Sequence, residues 1–353
     1  MIKTDLDLFW EHINAPTALI TGTNGKSTVA DALAYIGKNI GFNVNLCGNI
    51  GIPALDTLDQ DTSFDLHIIE CSSYQLAYST PPSSTTAVCL NIEHDHLAWH
   101  RSHEHYIASK KSIYHHTKKP VFNADCNHFS PHDVLLGCSW TLNRPKDNQF
   151  GLVQYQGIDY LAFGKTTLCP CSDLSIQGSH QYANMLAVLS LSHQLNWPIS
   201  KVLPALKTYR GLDHRFQKIS TQDGRHWIND SKSTNIASLK AALRSCSGFL
   251  DHVVLLVGGK EKSDEAWESI ITSLKTLKAV IFFGESSQNL YQFFSPHCEH
   301  ARIEPELKKA VALAGNITQK GDTILLSPGC ASFDAFKSFE SRGQSFEQWV
   351  ISL

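Results

Sequence analysis

Long apolar runs are missing from this sequence. No stretch approaches the roughly 18 residues of a membrane-spanning helix, and the N-terminus lacks the basic-then-apolar pattern of a secretory signal. An excess of positive charge is also missing, because 30 lysines and arginines face 33 aspartates and glutamates. The chain therefore has no basic field to attract nucleic acid or an anionic membrane. We predict a cytoplasmic protein that acts on small polar substrates.

Paired cysteine spacing is missing as well. The ten cysteines include no CxxC motif, and the closest two, Cys169 and Cys171, have one residue between them. In a long chain without a secretory signal, this usage is typical of reduced thiols that pack as small apolar residues. We therefore expect neither a disulfide framework nor a cysteine zinc site.

Strand-like apolar runs alternate with helical patterns, which predicts parallel sheets covered by helices. In the first half the strands are expected at residues 18–21, 66–70 and 87–91, and the helices at 29–40, 106–115, 181–195 and 199–206. Residues 151–175 instead have the pattern of short strands with turns, a small β insertion. In the second half strands are expected at residues 226–230, 252–257, 279–283 and 323–326, and a helix at 236–243.

Two short segments complete this organisation. Residues 209–213 (YRGLD) form a turn-prone link, which predicts a domain boundary after residue 211. Residues 79–86 (STPPSSTT) are a biased run that we expect to form an exposed loop.

Residues 21–28 (TGTNGKST) lie between a strand pattern and a helical pattern. Amides at a helix start, together with a lysine, can cradle phosphate oxygens, and the hydroxyl after the lysine can bind Mg²⁺. The usual motif, GxxxxGK[ST], would place its first glycine at Ile20, so this loop is a shorter variant. The strand, loop and helix order predicts nucleotide phosphate binding by Thr23, Asn24, Gly25, Lys26, Ser27 and Thr28.

Eight more segments follow this loop, reading GNIG, ECSSYQL, NIEHDH, GSHQYAN, GLDHRF, NDSKSTN, GGKEK and LSPGCASF. In this order, and with the shortened loop, they resemble the Mur ligase family of peptidoglycan synthesis from about residue 5 to the C-terminus. Folylpolyglutamate synthetases are similar but typically read GTNGKGS, so Ser27 and Thr28 favour the Mur ligases.

The resemblance implies an α/β fold in two domains. Residues 1–211 would form a P-loop-type central ATPase domain with a parallel sheet and the small β insertion. Residues 212–353 would form a Rossmann-like C-terminal α/β domain that binds the incoming amino acid.

The resemblance also implies an ATP-dependent amide ligase, which activates a carboxylate as an acyl phosphate that an amine then attacks. The implied substrates are UDP-N-acetylmuramoyl-L-alanine and D-glutamate, the implied cofactors are ATP and Mg²⁺, and the implied state is a monomer with no nucleic-acid or membrane partner. Two alternatives stay open. One is a related ligase, muropeptide or folylpolyglutamate-like, with a different acceptor; the other is a non-catalytic or split-gene remnant that binds ATP.

The catalytic residues implied by the resemblance are Lys26, Glu70, His96 and Lys110, with Ser27, Glu70, His96 and Lys110 as magnesium ligands. Lys110 would be carbamylated by CO₂ into an anion, although reasoning from the residues alone does not choose between Lys110 and Lys111. A zinc site is the alternative for the histidine-rich stretch of His94, His96, His100, His103 and His105, which has no HxxxH pair within a predicted helix and no carboxylate-rich partner motif.

The remaining implied residues bind the nucleotide or the substrates. The nucleotide would contact Asn49, His180, Gln181, Asn184, Arg215 and Asp230, of which Arg215 and Asp230 are implied to reach the γ-phosphate and the ribose. The acceptor and amino-acid substrates would contact Ser72, His214, Lys232, Thr234, Lys262, Ser332 and Phe333.

The sequence departs from the family in three places. Family members carry an N-terminal uridine-binding domain, whereas this phosphate loop begins at residue 21 and residues 5–10 (DLDLFW) resemble the linker after that domain. We expect a separately encoded uridine-binding domain to be a partner. The family's DHxD ends here in Ala98, and Gln181 replaces an asparagine.

Overall fold

The computed structural model describes residues 3–59, 63–79, 81, 83–93, 95–130, 132–133, 137–261 and 267–353. The chain divides into two compact units, residues 1–211 (unit 1) and residues 212–353 (unit 2). Within the described ranges, no helix combines the length and the apolar character needed to cross a membrane. All ten cysteines are described, and each is a free thiol.

Unit 1 is organised around one sheet. Its strands are β1 (Thr17–Thr21), β2 (Val44–Gly48), β3 (Leu66–Glu70), β4 (Thr86–Cys89), β5 (Lys119–Asn123), β6 (Cys138–Trp140), β7 (Gln149–Tyr155), β8 (Ile158–Phe163) and β9 (Thr166–Pro170). The order across the described sheet is β2-β3-β1-β4-β5-β6-β7-β8-β9. Pairing is parallel as far as β7 and antiparallel in the β7-β8-β9 meander. The predicted β insertion therefore continues the edge of the main sheet.

Helices cover both faces of this sheet. They are α1 (Asp5–His12), α2 (Lys26–Asn39), α3 (Ser73–Tyr78), α4 (Leu97–His100), α5 (His103–Lys111), α6 (Ser179–Gln194) and α7 (Ile199–Thr208). Helix α2 begins at Lys26, three residues before the predicted start, because its first turn is made by the phosphate loop. One face of α2 is apolar at helical spacing, with Val29, Leu33 and Ile36 buried in the core.

Two segments are held in the core of unit 1. Residues 5–10, which resemble the family's interdomain linker, belong to α1, and this helix buries Leu6, Phe9 and Trp10. Each such side chain contributes about 1.5–3 kcal/mol when fully buried. The expected exposed loop at residues 79–86 is wrong for Ser79 and Ser84, whose side chains are buried. The reason is hydrogen bonding, since Ser79 Oγ donates to Asp7 Oδ1 and Ser84 Oγ pairs with Thr117 Oγ1.

Unit 2 has its own sheet and helices. Its strands are β10 (Gln217–Ile219), β11 (His226–Asn229), β12 (Val253–Gly258), β13 (Ala279–Phe283), β14 (Ala301–Ile303) and β15 (Thr323–Gly329). Its helices are α8 (Ile236–Ser245), α9 (Ile271–Leu274), α10 (Ser287–Phe294), α11 (Leu307–Ile317) and α12 (Phe339–Ile351). The described strands follow the order β10-β11-β15-β12-β13-β14, and only β10 runs antiparallel to its neighbour.

Both sheets end in loops that carry the predicted site residues. In unit 1, the phosphate loop follows β1 and Glu70 closes β3, the strand paired beside β1. In unit 2, the loop of Lys232 follows β11 and the loop of Ser332 follows β15, its parallel neighbour. Open α/β sheets bind ligands at these carboxyl ends, so the topology gathers the candidate residues at one edge of each unit.

Candidate active site

The phosphate loop is held rigidly by a segment that follows β4. The Thr23 amide donates to Asn91 O (2.9 Å), and the Asn24 amide donates to Asn91 Oδ1 (2.8 Å). Asn91 Nδ2 returns a hydrogen bond to Asn24 O (3.1 Å). Thr23 Oγ1 accepts from the Glu93 amide (2.9 Å) and lies 2.9 Å from Tyr106 Oη. The loop is therefore shaped before any ligand arrives.

Gly25 closes the loop at the start of α2. Its φ of 85° is in the left-handed region, and a Cβ at this position would lie 2.4 Å from Asn184 Oδ1. A side chain here would meet both backbone strain and a clash. The same distance shows that Asn184, a predicted nucleotide ligand from α6, lies next to the phosphate loop.

Two lysines converge on one carbonyl of this loop. Lys26 Nζ donates to Gly22 O (2.9 Å) and Thr23 O (3.0 Å), and Lys110 Nζ donates to the same Gly22 O (2.7 Å). Lys110 is 2% exposed. Burial, with repulsion from Lys26, lowers the pKa of Lys110 to about 7. Lys111 instead points its Nζ at the Phe129 ring, 5.4 Å from the centroid.

Glu70 presents a buried carboxylate next to the loop. Its backbone pairs with Ile20 on one side and Gly48 on the other. Asn49 Nδ2 donates to Oε1 (2.8 Å), whereas Oε2 is buried without a hydrogen-bond partner among the described residues. An orphaned buried carboxylate oxygen is costly, and a cation is the partner that removes the cost. The residues present therefore fit Mg²⁺, with Glu70 and the hydroxyl of Ser27 as oxygen ligands.

His96 and Ser72 are both held locally. His96 adopts a φ of 54°, its Nε2 lies 3.5 Å from Asp95 Oδ2, and its ring is 5.0 Å from that of Tyr74. Ser72 caps α3 by accepting from the Gln75 amide (3.2 Å). This capping role is enough to explain a serine at position 72, because its hydroxyl satisfies an orphan helix amide. The substrate contact of Ser72 stays a prediction.

The histidine-rich stretch forms a ring cluster around His100. Its Nε2 lies 3.0 Å from Ser73 Oγ and its Nδ1 lies 3.1 Å from His105 Nδ1. His94 falls outside the described residues. In the part of the chain that is described, no group of three or more histidine, cysteine, aspartate or glutamate side chains is arranged to hold a metal ion.

The N-terminal turn of α6 carries the remaining candidates of unit 1. Gln181 is buried and its Oε1 accepts from Asn184 Nδ2 (3.3 Å), so the longer amide supports the residue that touches Gly25. Burial lowers the pKa of His180 to about 4, so its imidazole is neutral at physiological pH.

In unit 2, Asp230 follows β11 with both oxygens engaged. Oδ1 accepts from the Phe216 amide (3.1 Å) and Oδ2 accepts from Ser327 Oγ (2.8 Å). Burial raises the pKa of Asp230 to about 7, although hydrogen bonds and the charge of Arg215 oppose the rise. His214 turns into the interior, where Asn229 Nδ2 donates to its Nδ1 (3.0 Å).

The predicted amino-acid residues differ in their surroundings. Lys232 Nζ lies over the Phe339 ring, 3.8 Å from its centroid, and Ser332 is buried. Thr234 is half-buried, Phe333 is 70% exposed, and Lys262 is outside the described residues. Four residues that the sequence did not assign contact the predicted residues or their loops, namely Asn91 and Tyr106 within unit 1, and Phe339 and Arg342, which bonds Ser231 O, within unit 2. Asn91 lies in the NIEHDH segment, but no local pattern marks the other three.

Comparison with known proteins gives two family matches. Residues 20–192 match the Mur ligase middle domain, and residues 214–330 match the Mur ligase glutamate ligase domain. UDP-N-acetylmuramoylalanine-D-glutamate ligase of Legionella pneumophila (strain Lens) is 34% identical over 358 aligned residues, covering 100% of this chain and 80% of the relative. The same enzyme of Pseudomonas savastanoi pv. phaseolicola is also 34% identical, covering 100% and 79%.

Solved structures share the fold at low sequence identity. UDP-N-acetylmuramate-alanine ligase MurC from Thermotoga maritima superposes with a TM-score of 0.72 at 17% identity, over 98% of this chain and 79% of that one. MurF ligase from Thermotoga maritima, in complex with ADP, gives 0.72 at 15% identity, over 99% and 85%. These structures support the α/β architecture of both units.

Proposed function

The chain belongs to the Mur ligase family, and we propose that it is an ATP-dependent amide ligase joining D-glutamate to UDP-N-acetylmuramoyl-L-alanine. The substrates are those in the names of relatives that align over the whole chain at 34% identity. The observation that carries the chemistry is the meeting of Lys26 and Lys110 at one carbonyl of the phosphate loop.

The first half-reaction must bring two anions together. The acyl carboxylate attacks the γ-phosphorus of ATP and displaces ADP, and the barrier falls when positive charge is fixed where negative charge develops. Lys26 Nζ would exchange the carbonyls of Gly22 and Thr23 for phosphate oxygens. The amides of Thr23 and Asn24 already donate to Asn91. Phosphate recognition therefore falls to Lys26 and to the first turn of α2.

Glu70 and Ser27 would hold one Mg²⁺, which neutralises phosphate charge when bound. Asn49 would keep the Glu70 carboxylate oriented, since it already binds Oε1 and leaves Oε2 for a ligand. His96 would serve a second ion together with a modified Lys110.

Lys110 is suited to carbamylation. With a pKa lowered to about 7 by burial and by Lys26, part of the population is a neutral amine at physiological pH. Such an amine can attack CO₂, forming an N–C bond and releasing one proton, and the side chain then carries one negative charge. This change replaces repulsion between Lys110 and Lys26 with attraction.

The second half-reaction requires the amino acid to be held through two carboxylates. Lys232, Thr234 and Ser332 supply a cation and two hydroxyls of the types that bind carboxylates. Their loops follow two neighbouring strands of unit 2. Lys262 completes the proposed set from outside the described residues. For the nucleotide, we assign His180, Gln181 and Asn184 to the base, Arg215 to the γ-phosphate and Asp230 to the ribose.

The test is phosphate release by the full chain with ATP, Mg²⁺, UDP-N-acetylmuramoyl-L-alanine and D-glutamate, omitting each substrate in turn. We expect release only when both substrates are present, with formation of the D-glutamyl product by mass. Release that persists without D-glutamate, or that follows a different amino acid, would contradict the proposed substrates. Phosphate release that is absent with every combination would contradict a ligase.

A further inference from the structure

The last helix of unit 2 carries a fully buried arginine. Arg342, on α12, is 0% exposed. Its Nη2 donates to Ser231 O (2.8 Å) and its Nε to Ser231 Oγ (3.0 Å). Its Nη1 lies 3.2 Å from Cys330 O and 3.4 Å from Ala331 O. All of these acceptors are backbone carbonyls or a hydroxyl, so within the described residues the guanidinium has no direct carboxylate partner.

These acceptors belong to two separate loops. Ser231 precedes Lys232 and Thr234 in the loop after β11, and Cys330 and Ala331 precede Ser332 in the loop after β15. Among the described residues, backbone hydrogen bonds also connect β15 to the first loop, because the Asp230 amide donates to Leu326 O (2.8 Å) and the Gly329 amide donates to Ser233 O (2.8 Å). The guanidinium adds a link between the two loops themselves, immediately before the residues proposed to bind the amino acid.

The same turn of α12 contacts the first loop at two other points. Phe339 O accepts from Ser231 Oγ (2.8 Å), and the Phe339 ring covers Lys232 Nζ. Gly343 lets the helix approach, because a Cβ there would lie 2.4 Å from His214 Nδ1. The position of Arg342 is therefore fixed by its helix as well as by its own hydrogen bonds.

Stability alone does not call for this arginine. Burial lowers the pKa of Arg342 to about 10, so the side chain stays charged at neutral pH. Well-packed apolar residues often replace buried charges without loss of stability. A planar fork of donors is needed only if several carbonyls must be held in one fixed geometry.

We propose that Arg342 is a positioning residue for the incoming amino acid, tying together the loops that carry Lys232, Thr234 and Ser332 without touching the substrate itself. This inference rests on the proposed function of unit 2 as the amino-acid site. It assigns affinity for D-glutamate to a residue whose contacts are all internal.

The test compares Arg342→Lys with Arg225→Lys. Lysine keeps the charge of Arg342 but cannot hold three carbonyls in a planar fork. Arg225 is the matched control, because it also binds a carbonyl of unit 2, that of Gly315, away from both loops. We expect Arg342→Lys to raise the KM for D-glutamate about 10-fold and to leave the KM for ATP within about twofold. Arg225→Lys should change neither the KM for D-glutamate nor the KM for ATP.

Amide hydrogen exchange of residues 231–234 and 330–333 gives a readout that does not require turnover. We expect exchange to be about 10-fold faster in Arg342→Lys than in wild type or Arg225→Lys. If amide exchange in a folded Arg342→Lys variant is unchanged, the proposal that Arg342 ties the two loops together is overturned. Faster exchange with an unchanged KM for D-glutamate would overturn the positioning role. A wild-type chain without ligase activity would refute the proposed function instead, and exchange would still decide whether the loops are tied.

If Arg342→Lys does not fold, the Ser231→Ala variant decides whether Arg342 has a positioning role or a purely structural one. This change removes the hydroxyl that accepts from Arg342 Nε and donates to Phe339 O. We expect the KM for D-glutamate to rise about threefold with the melting temperature within about 2 °C of wild type. A lower melting temperature with an unchanged KM would show a purely structural role and overturn the proposal.

Discussion

The phosphate loop of unit 1 and the amino-acid loops of unit 2 place lysines in very different surroundings. Lys26 and Lys110 meet at a single backbone carbonyl, beside a carboxylate oxygen that lacks a partner among the described residues. Lys232 instead rests on an aromatic ring, and a buried arginine joins its loop to the next. The first site leaves a buried carboxylate oxygen of Glu70 for a ligand, whereas the second is held by an aromatic contact and by hydrogen bonds from Arg342 to backbone carbonyls.

Removal of Lys26 should give the largest effect. We expect Lys26→Ala to lower ATP-dependent phosphate release by at least about 100-fold, because it removes the cation proposed for the developing phosphate charge. Lys38→Ala is the control, since Lys38 is exposed in the last turn of the same helix. The rates of both variants are measured as phosphate release under saturating ATP. Equal rates in the two variants would mean that the charge of Lys26 is not used.

Removal of Lys110 tests whether the second lysine acts as an anion. We expect Lys110→Ala to lose about 100-fold or more in rate and to regain part of it with short-chain carboxylic acids, which can replace a carbamate. Lys111→Ala should stay within about threefold of wild type, because its side chain faces Phe129. Rescue is measured as rate against carboxylate concentration. A loss in Lys111→Ala instead would reverse the assignment of the two lysines.

The aromatic support of Lys232 should give a smaller effect. Loss of a cation–π contact of about 1.4 kcal/mol corresponds to a 10-fold change in affinity, so we expect Phe339→Ala to raise the KM for D-glutamate about 10-fold. The sequence pointed instead to Phe333, whose ring is 70% exposed. Steady-state kinetics of Phe333→Ala provide the comparison. A larger effect at Phe333 than at Phe339 would restore the sequence-based choice.

The carboxyl of Asp230 should give the smallest effect, on stability. Its folded pKa of about 7 lies above the ordinary 3.8. Between these values an unfolded chain ionises while the folded carboxyl stays protonated, so stability falls as pH rises from about 4 to 7. We expect Asp230→Asn to gain about 3 °C in melting temperature relative to wild type across this window.

Asp223→Asn is the control with the opposite sign. Burial would raise the Asp223 pKa, but hydrogen bonds from Arg225, Thr221 and Trp227 outweigh it and lower the pKa to about 2. This carboxylate stabilises the fold above about pH 4, and its contribution is lost as pH falls toward 2. Thermal denaturation across pH measures both variants. A fall in melting temperature for Asp230→Asn at pH 8 would contradict the raised pKa.

The α/β class, the family resemblance and the ligase assignment are confirmed, and local chemistry explains why they could be predicted. Strand, loop and helix are contiguous in residues 17–39. The spacing of the apolar residues, the glycines and the lysine therefore predict this strand-loop-helix segment from local sequence. The start of α2 was placed three residues late because a phosphate loop makes its own first helical turn.

Other features depended on residues far apart in the chain. The burial of Phe9 and Trp10 could not be predicted from residues 5–10, because it depends on a sheet face formed later in the chain. The exposed loop expected at residues 79–86 was wrong because Ser79 and Ser84 found partners at Asp7 and Thr117.

The sequence by itself determined which groups this protein carries, since each motif is a short run whose chemistry is local. Tertiary structure alone decided their state. Only packing places Lys110 against Gly22 with a pKa near 7, and leaves Glu70 with an oxygen that has no partner in the described chain. Only packing brings Arg342 to Ser231, which lies 111 residues earlier in the chain. Burial and electrostatic coupling depend on neighbours in space, and a pattern along the chain does not encode those neighbours.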